Sequence, residues 1–461
     1  MTEARTVSWI QSTRHARWEA RPPIRPQELT GPPDVAVLED RPKQVVEGIG
    51  VSFSELSWQT LNQLDEQSRD SIMRDLFADG AGANLTMGRL PIGANDFSRG
   101  WYSYDETDGD FGLAKFSIDN DWDTLIPFVH AALAHRPELT LWASPWSPPT
   151  WLKTNGHYAA GKPLPWQHDV ENGLRDDQVG LEGTDMMIQD DRYLRTYAAY
   201  FGAYVDAYRK AGIRVRMVMP QNEFNSAQVF PSCTWTPEGL ARFIAILGPE
   251  MESRGVETFV GTMERADHRL IEAVLDDPAA SRYVVGAGFQ WAGKHAVAPI
   301  RSHYPWLRVY QTEQECGDGK NDWRYCRYAW TQLRDYFRDG AHAYTYWNLA
   351  LPPGGRSRWG WPQNSLVTVH ADGTYTYNAE YHLLKHVSHH LQAGARFVDT
   401  LSVNGYENQI AFRNPDGGIV IVLHNDSADE MHIDLAVGGK LLPVTLAPDS
   451  FHTLHVEPAP G

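Results

Sequence analysis

Two glutamates follow two predicted strands at a spacing that suits paired carboxyl chemistry. Glu223 comes directly after the apolar run 215–220, and Glu313 comes after the run 307–310. They are about 90 residues apart, which is three strand–helix units of roughly 30 residues each. In a closed barrel of such units, the two strand ends face each other obliquely across the mouth. The two carboxyl groups are therefore expected to meet over one bound molecule.

A carboxyl pair of this kind is typical of retaining glycoside hydrolysis, in which the two groups lie about 5–5.5 Å apart. One carboxyl protonates the leaving oxygen and later deprotonates water, while the other attacks the anomeric carbon. We predict Glu223 as the acid/base and Glu313 as the nucleophile. Asn222, beside Glu223, is suited to bind the sugar 2-hydroxyl. Glu315 stays open as a rival nucleophile or supporting residue, because residues two apart share a strand face.

Strand-like and helix-like runs alternate from about residue 45, which predicts an α/β fold of eight βα units, a (β/α)8 TIM barrel. The five clearest helical stretches are 65–78, 122–135, 194–211, 237–253 and 328–339. The eight predicted strands are 45–54, 85–90, 139–144, 215–220, 258–262, 284–289, 307–312 and 343–347. The segment 156–191, rich in Gly, Pro and Asp, is predicted to be a long functional loop at the mouth.

After about residue 391 the helical runs give way to short strands separated by turns, which predicts an appended antiparallel β-sandwich. A β-like run at 6–11 is expected to add an N-terminal strand to that sandwich. The predicted domains are therefore an N-terminal extension 1–44, a catalytic barrel 45–390 and a C-terminal sandwich 391–461.

Composition excludes several classes of protein. The net charge of −17 argues against a nucleic-acid partner, since phosphate binding needs clustered Lys and Arg. No apolar run is long enough to predict a membrane span. Three cysteines and the absence of a signal-like N-terminus favour a reducing cytoplasm. His382 and His386 have a metal-binding spacing, but a packed helix face is the preferred interpretation, and we expect no metal and no cofactor.

Three longer stretches carry a family resemblance: residues 89–98 (RLPIGANDFS), 144–156 (SPWSPPTWLKTNG) and 346–351 (YWNLAL). On these stretches the chain resembles the glucosylceramidase-like enzymes of glycoside hydrolase family 30, over nearly its whole length from about residue 47. The family's acid/base follows an Asn after strand four, as Glu223 follows Asn222. Its nucleophile follows a small hydroxyl residue after strand seven, as Glu313 follows Thr312.

The resemblance implies roles for further residues. Asp96 is similar to the carboxylate that holds the outer hydroxyls of the cleaved sugar, and Trp151 and Trp347 are similar to walls of its pocket. Asn364 resembles a hydroxyl ligand. Where glucosylceramidase has a His-Trp-Tyr run after strand six, this chain reads Gln290-Trp291-Ala292, and the resemblance implies that Trp291 binds substrate. That departure leaves the sugar and its leaving group undetermined.

The expected activity is that of an exo-acting β-glucosidase on β-glucosides or short β-linked oligosaccharides. A β-xylosidase, β-galactanase or endo-β-1,6-glucanase would use the same mechanism on another sugar. A transglycosylase would pass through the same covalent intermediate. An inactive carbohydrate-binding barrel is the alternative from a different class. The oligomeric state is not predicted.

Overall fold

The computed structural model describes residues 5–458. Residues 1–4 and 459–461, the outer ends of the predicted N-terminal extension and C-terminal sandwich, lie outside the described residues. No helix among residues 5–458 is long and apolar enough to cross a membrane.

Eight parallel strands close into a barrel, as the sequence predicted. The last strand pairs with the first, Thr345 opposite Gly50. Met87, Trp142, Met217, Phe259 and Tyr310 fill the lower interior, so the centre of the barrel is packed. The strands are Gly48–Ser52, Met87–Pro91, Thr140–Ser144, Val215–Val218, Glu257–Met263, Val284–Gln290, Arg308–Glu313 and Ala343–Asn348.

Amphipathic helices surround the barrel and begin at side chains that cap them. Asp190, Thr236 and Asp322 each accept a backbone N–H in the first turn that follows, satisfying donors that the helix leaves free. The α-helices are Glu55–Leu61, Glu66–Phe77, Asp119–Trp122, Leu125–His135, Asp191–Lys210, Pro237–Glu252, Arg269–Leu275, Pro278–Ser281, Val297–His303, Trp323–Arg338 and Ala379–Ser388.

Short elements complete the mouth. Three 3-10 turns occur at Thr150–Leu152, Asp176–Gln178 and Trp291–Ala296. A small sheet follows the last barrel strand and consists of Ala350–Leu351, Val367–Val369 and Tyr375–Tyr377. Of these segments, Trp291–Ala296 contributes Trp291, Ala292 and Lys294 to the wall of the cavity described below.

The second domain is a ten-stranded sheet that folds over its own apolar core. In sheet order its strands are Glu19–Ala20, Val7–Thr13, Ser450–Val456, Ile419–Asn425, Gln409–Arg413, Arg396–Ser402, Val35–Val45, Met431–Val437, Lys440–Leu446 and Gln27–Glu28. The N-terminal segment contributes four strands, where the sequence indicated one. Ile421 and Leu454 face the sandwich core, while Val422 and Phe451 pack against the barrel.

Candidate active site

Glu223 lies just beyond the fourth barrel strand in a conformation that is unusual for a side chain of its size. Its φ angle of 47° is in the left-handed region, which L-residues seldom occupy. The backbone N–H of Glu223 donates to Thr262 Oγ1 at 3.0 Å, and that of Asn222 donates to the carbonyl of Pro145 at 2.7 Å. Bonds to two neighbouring strands thus hold the turn, a kind of local strain that concentrates at functional sites.

Glu313 is the last residue of the seventh strand and forms a buried ion pair. Arg89 Nη1 donates to Glu313 Oε2 at 2.8 Å, and Trp291 Nε1 donates to Glu313 Oε1 at 3.2 Å. Arg89 is fully buried and also donates to Asn222 Oδ1 at 2.6 Å. Three indole rings surround its guanidinium, those of Trp142, Trp146 and Trp347, at 4.4–5.2 Å. This arrangement fixes both the position and the charge of Glu313.

One amide joins the two glutamates. Gln290 Nε2 lies 3.2 Å from Glu223 Oε1 and 3.3 Å from Glu313 Oε2. Because both oxygens bond to one nitrogen, they are less than about 6.5 Å apart. That separation is below the carboxyl–carboxyl range of inverting glycosidases and is compatible with the range of retaining ones. The Thr312 hydroxyl lies 2.9 Å from Gln290 Oε1 and orients the amide. The pair is therefore set for chemistry at one carbon atom.

The surroundings of the two carboxyls differ in charge. Burial raises the pKa of Glu223 well above its usual range, and the nearby Glu264 and Glu313 carboxylates add to that rise. The hydrogen-bond partners of Glu223 are the neutral amides of Gln228 and Gln290. Burial also raises the pKa of Glu313, but Arg89 and Trp291 oppose that rise. A proton held between the pair therefore resides on Glu223, and Glu313 carries the charge.

Glu315 lies on the outer wall of the cavity with partners of its own. Lys294 Nζ is 2.6 Å from Glu315 Oε1, and the Tyr328 hydroxyl donates to Oε2 at 2.9 Å. Within residues 5–458, no hydrogen bond links Glu315 to Arg89, Gln290 or Glu223. The geometry therefore favours Glu313 over Glu315 as the group facing the reaction.

A cavity of about 450 Å³ opens above the pair. Its lining is Asp96, Glu223, Gln228, Phe230, Glu264, Arg265, Trp291, Ala292, Lys294, Glu313, Glu315, Trp361 and Gln363. Asp96 is buried at the inner end, where Oδ1 has no hydrogen-bond partner in the described chain. Burial and the neighbouring Glu313 raise the pKa of Asp96 well above its usual range. An unpaired buried carboxyl is costly, so the site is built for a polar ligand.

Of the other predicted site residues, Trp291 and Trp347 lie at the cavity or directly behind it, whereas Trp151 does not. Trp291 lines the cavity, and the buried Trp347 packs behind Asp96 with its ring stacked on Trp146 at 5.3 Å. Trp151 does not reach the cavity lining, because its indole donates to the Asp105 carbonyl and packs against Phe111.

Asn364 does not line the cavity either. It is fully buried, donates to Glu380 Oε1 at 2.8 Å and accepts the backbone N–H of Asn321 at 3.0 Å. Its amide supports the loop, and the neighbouring Gln363 takes the place at the wall. The structure therefore places Asn364 beside the cavity wall and not among the residues that line it.

Sequence reasoning assigned no role to Arg89 and treated Gln290 only as a departure from the family pattern. A signal for Arg89 was present, since a charged residue inside the short strand Met87–Pro91 must find a buried partner. Away from the mouth, His268, Glu272 and His303 bring ligand-type atoms within 4.8 Å of one another on the outer helices. They do not touch the cavity.

Comparison with known proteins agrees with this geometry. Residues 46–391 match the Glycosyl hydrolase family 30 TIM-barrel domain, and residues 394–454 match the Glycosyl hydrolase family 30 beta sandwich domain. The lysosomal acid glucosylceramidase of Mus musculus is 27% identical over 94% of this chain and 85% of its own. The endo-1,6-beta-D-glucanase neg1 of Aspergillus fumigatus is 25% identical over 86% and 81%. The crystal structure of SrfJ from Salmonella typhimurium shares the fold, with a TM-score of 0.85, 23% identity, and coverage of 98% of this chain and 99% of that one.

Proposed function

The chain belongs to glycosyl hydrolase family 30, the retaining β-glycosidases, and on that premise we propose that it cleaves β-glucosides with Glu223 as acid/base and Glu313 as nucleophile. The observation that carries the proposal is the Gln290 amide between the two carboxyls. Of these two carboxyls, only Glu313 accepts a hydrogen bond from Arg89 in the described chain. This arrangement supports one protonated and one ionised carboxyl, at a separation compatible with the retaining mechanism.

The reaction proceeds in two displacements. Glu313 Oε attacks the anomeric carbon while the Glu223 carboxyl gives its proton to the leaving oxygen, and the glycosidic bond breaks. Glu223, now ionised, takes a proton from water, which attacks the same carbon and releases Glu313. Arg89 keeps Glu313 ionised before the attack. Asn222 Oδ1 is bound to Arg89, and the Asn222 Nδ2 has no described partner, so it is free for the 2-hydroxyl.

Asp96 supports a glucose-type sugar. Its buried, unpartnered Oδ1 lines the cavity, where it would accept the 6-hydroxyl that glucose has and xylose lacks. The relative named endo-1,6-beta-D-glucanase makes a β-1,6-glucan the second candidate substrate, with the same residues in the same roles.

A 2-fluoro glucosyl inactivator tests the nucleophile, because it traps the covalent intermediate. We expect peptide mass spectrometry to locate the adduct on Glu313, and the Glu315→Gln variant to be labelled as the wild type is. An adduct on Glu315, or no labelling by 2-fluoro sugars of any configuration, would overturn the assignment.

Azide rescue tests the acid/base. Azide attacks the anomeric carbon of the covalent intermediate in place of water and needs no general base, so a Glu223→Ala variant acting on an activated aryl glucoside is expected to recover and to release β-glucosyl azide. Glu264→Ala is the matched control, since Glu264 is a second buried glutamate of the same cavity. An α-glucosyl azide product, or rescue of Glu264→Ala instead, contradicts the role of Glu223. A transglycosylase would be recognised by glucosyl transfer to added sugars in preference to water.

A further inference from the structure

We propose that Phe230, Trp361 and Trp166 form an acceptor wall that binds the sugar units of the leaving group, so that the natural substrate is a β-linked oligosaccharide. This inference rests on the proposed function and concerns the same site. Phe230 and Trp361 line the cavity. Trp166 continues the series outward, with its ring 5.1 Å from that of Trp361 in an edge-on arrangement.

The acceptor wall lies on the leaving-group side of the bond. Gln228 Nε2 contacts Glu223 Oε2 at 3.3 Å, and Phe230 follows two residues later in the same segment. The group that Glu223 protonates must leave on the Glu223 side, whereas Asp96 and Glu313 define the side of the cleaved sugar. A leaving group that extends outward from Glu223 therefore meets Phe230 first and Trp361 next.

Hydrogen bonds hold the acceptor wall in place. Within the long loop 156–191, Asn172 Nδ2 donates to the Val229 carbonyl at 3.0 Å, and Gln167 Nε2 donates to the Trp359 carbonyl at 2.9 Å. Asp169 forms an ion pair with Arg356 at 2.6 Å. Trp166 is nevertheless 54% exposed on this anchored loop. A large aromatic ring held in water beside a cavity is a feature of ligand-binding surfaces.

The cavity lining selects a sugar over an alkyl chain. Among the described residues that line the cavity, none is Leu, Ile, Val or Met, and the apolar contribution comes mainly from aromatic rings. Hydrogen-bonding groups share the lining with those rings, including the Gln363 amide and one Glu264 oxygen that lacks a partner among the described residues. A pyranose offers an apolar C–H face to a ring and hydroxyls to such groups, whereas an alkyl chain leaves them unpaired.

The test compares leaving groups in a Trp166→Ala variant. The kcat/KM is measured for 4-nitrophenyl β-glucoside, for octyl β-glucoside, and for the best-cleaved of the β-1,3-, β-1,4- and β-1,6-linked glucotrioses. We expect a loss of roughly tenfold on the triose and less than about twofold on the nitrophenyl glucoside, which is too short to reach Trp166. Trp306→Ala is the matched control. Trp306 is 57% exposed and precedes the strand Arg308–Glu313 at the opposite end of the barrel.

The outcomes separate this inference from the proposed function. If the wild type cleaves no β-glucoside, the proposed function fails. If it cleaves the nitrophenyl glucoside but no triose, or if Trp166→Ala and Trp306→Ala lose triose activity equally, only the acceptor wall is overturned. A larger loss on octyl β-glucoside than on the triose would also overturn it, because the surface would then bind an apolar group.

Discussion

The barrel mouth and the junction between barrel and sandwich both bury ionisable side chains, and Asp96 at the mouth differs from His386 and His452 at the junction in whether the chain itself supplies hydrogen-bond partners. At the mouth, Asp96, Glu223 and Glu313 surround Arg89, and Asp96 Oδ1 is left without a partner. At the junction, the fully buried His386 has both ring nitrogens within hydrogen-bond distance of hydroxyls, Thr453 at 2.8 Å and Ser12 at 2.7 Å.

His452 repeats the pattern of the junction. Trp9 Nε1 donates to its Nδ1 at 3.1 Å, and Ser450 Oγ lies 2.7 Å from its Nε2. Burial lowers the pKa of His452 to about 3, so this ring stays neutral and serves as a packed, hydrogen-bonded element. The mouth keeps charge and an unpaired carboxylate oxygen that a ligand can satisfy, whereas the ring nitrogens of His386 and His452 are paired within the chain. Substitutions of the carboxyl pair at the mouth should therefore mainly lower activity, whereas substitutions of these histidines at the junction should mainly lower the free energy of unfolding.

The largest expected effect is on activity at the mouth. Glu313→Gln removes the attacking oxygen's charge while keeping its shape, and we expect kcat/KM for an aryl glucoside to fall by at least about 10⁴-fold. Glu315→Gln, two residues away and already paired with Lys294, is expected to change it by less than about fivefold. A comparable loss of activity in both variants would contradict this division of roles.

The sequence predicted the barrel well because each buried parallel strand is a short apolar run bounded by turns. The fifth predicted strand, 258–262, is observed as Glu257–Met263, and the seventh, 307–312, as Arg308–Glu313. The strand Val35–Val45 was missed, since half of it is exposed and polar and it gains its partners only through residues 396–402 and 431–437.

Only the site residues that directly follow a strand could be predicted from the sequence. The glutamates could be proposed in this way, whereas the contacts of Arg89 and Gln290 depend on closure of the barrel. Arg89 meets Asn222 and Glu313 across 133 and 224 residues of sequence. The register of the sixth and seventh strands shifts by one residue between Phe289 and Gln290, so that Gln290 pairs with Glu313. Its amide can then contact both glutamates. Such register details are not written in local patterns.

The second expected effect is on stability at the junction. His386→Ala leaves a cavity and removes the ring nitrogens bound by the Ser12 and Thr453 hydroxyls, each of which keeps one other hydrogen bond, so the free energy of unfolding should fall by about 3 kcal/mol. His432→Ala is the control, since His432 lies in a sandwich strand with a side chain that is 77% exposed; there we expect less than about 0.5 kcal/mol. Urea unfolding at pH 7 measures both. If the free energy of unfolding of His386→Ala lies within about 1 kcal/mol of the wild-type value, the buried His386 ring does not stabilise the junction.

The third expected effect concerns the neutral bridge between the glutamates. Gln290→Ala removes the amide that spaces Glu223 from Glu313, and small displacements of reacting groups cost up to about 10²-fold. We expect kcat to fall by roughly 10- to 100-fold with KM changed less than threefold. The acidic limb of the pH–rate profile should also move to higher pH, because Glu313 loses a hydrogen bond that favours its charged form. Gln228→Ala, which removes the amide on Glu223 alone, should leave that acidic limb in place. Loss of kcat with an unchanged profile would mean that Gln290 only fills space.

The smallest expected effect links the two regions through pH. Burial raises the pKa of Glu264 from 4.5 to about 7, so between these values the folded protein holds a proton that the unfolded chain has released, and stability falls as pH rises. Burial lowers the pKa of His452 from 6.5 to about 3, so the unfolded chain binds the extra proton and stability rises with pH over that interval. The two contributions oppose each other between pH 4.5 and 6.5.

Glu264→Gln should therefore make the free energy of unfolding climb more steeply from pH 5 to pH 7, by about 1–2 kcal/mol relative to the wild type. His452→Gln should make the climb shallower. Urea unfolding at both pH values tests the pair, and parallel curves for all three proteins would mean that neither burial shifts protonation on folding.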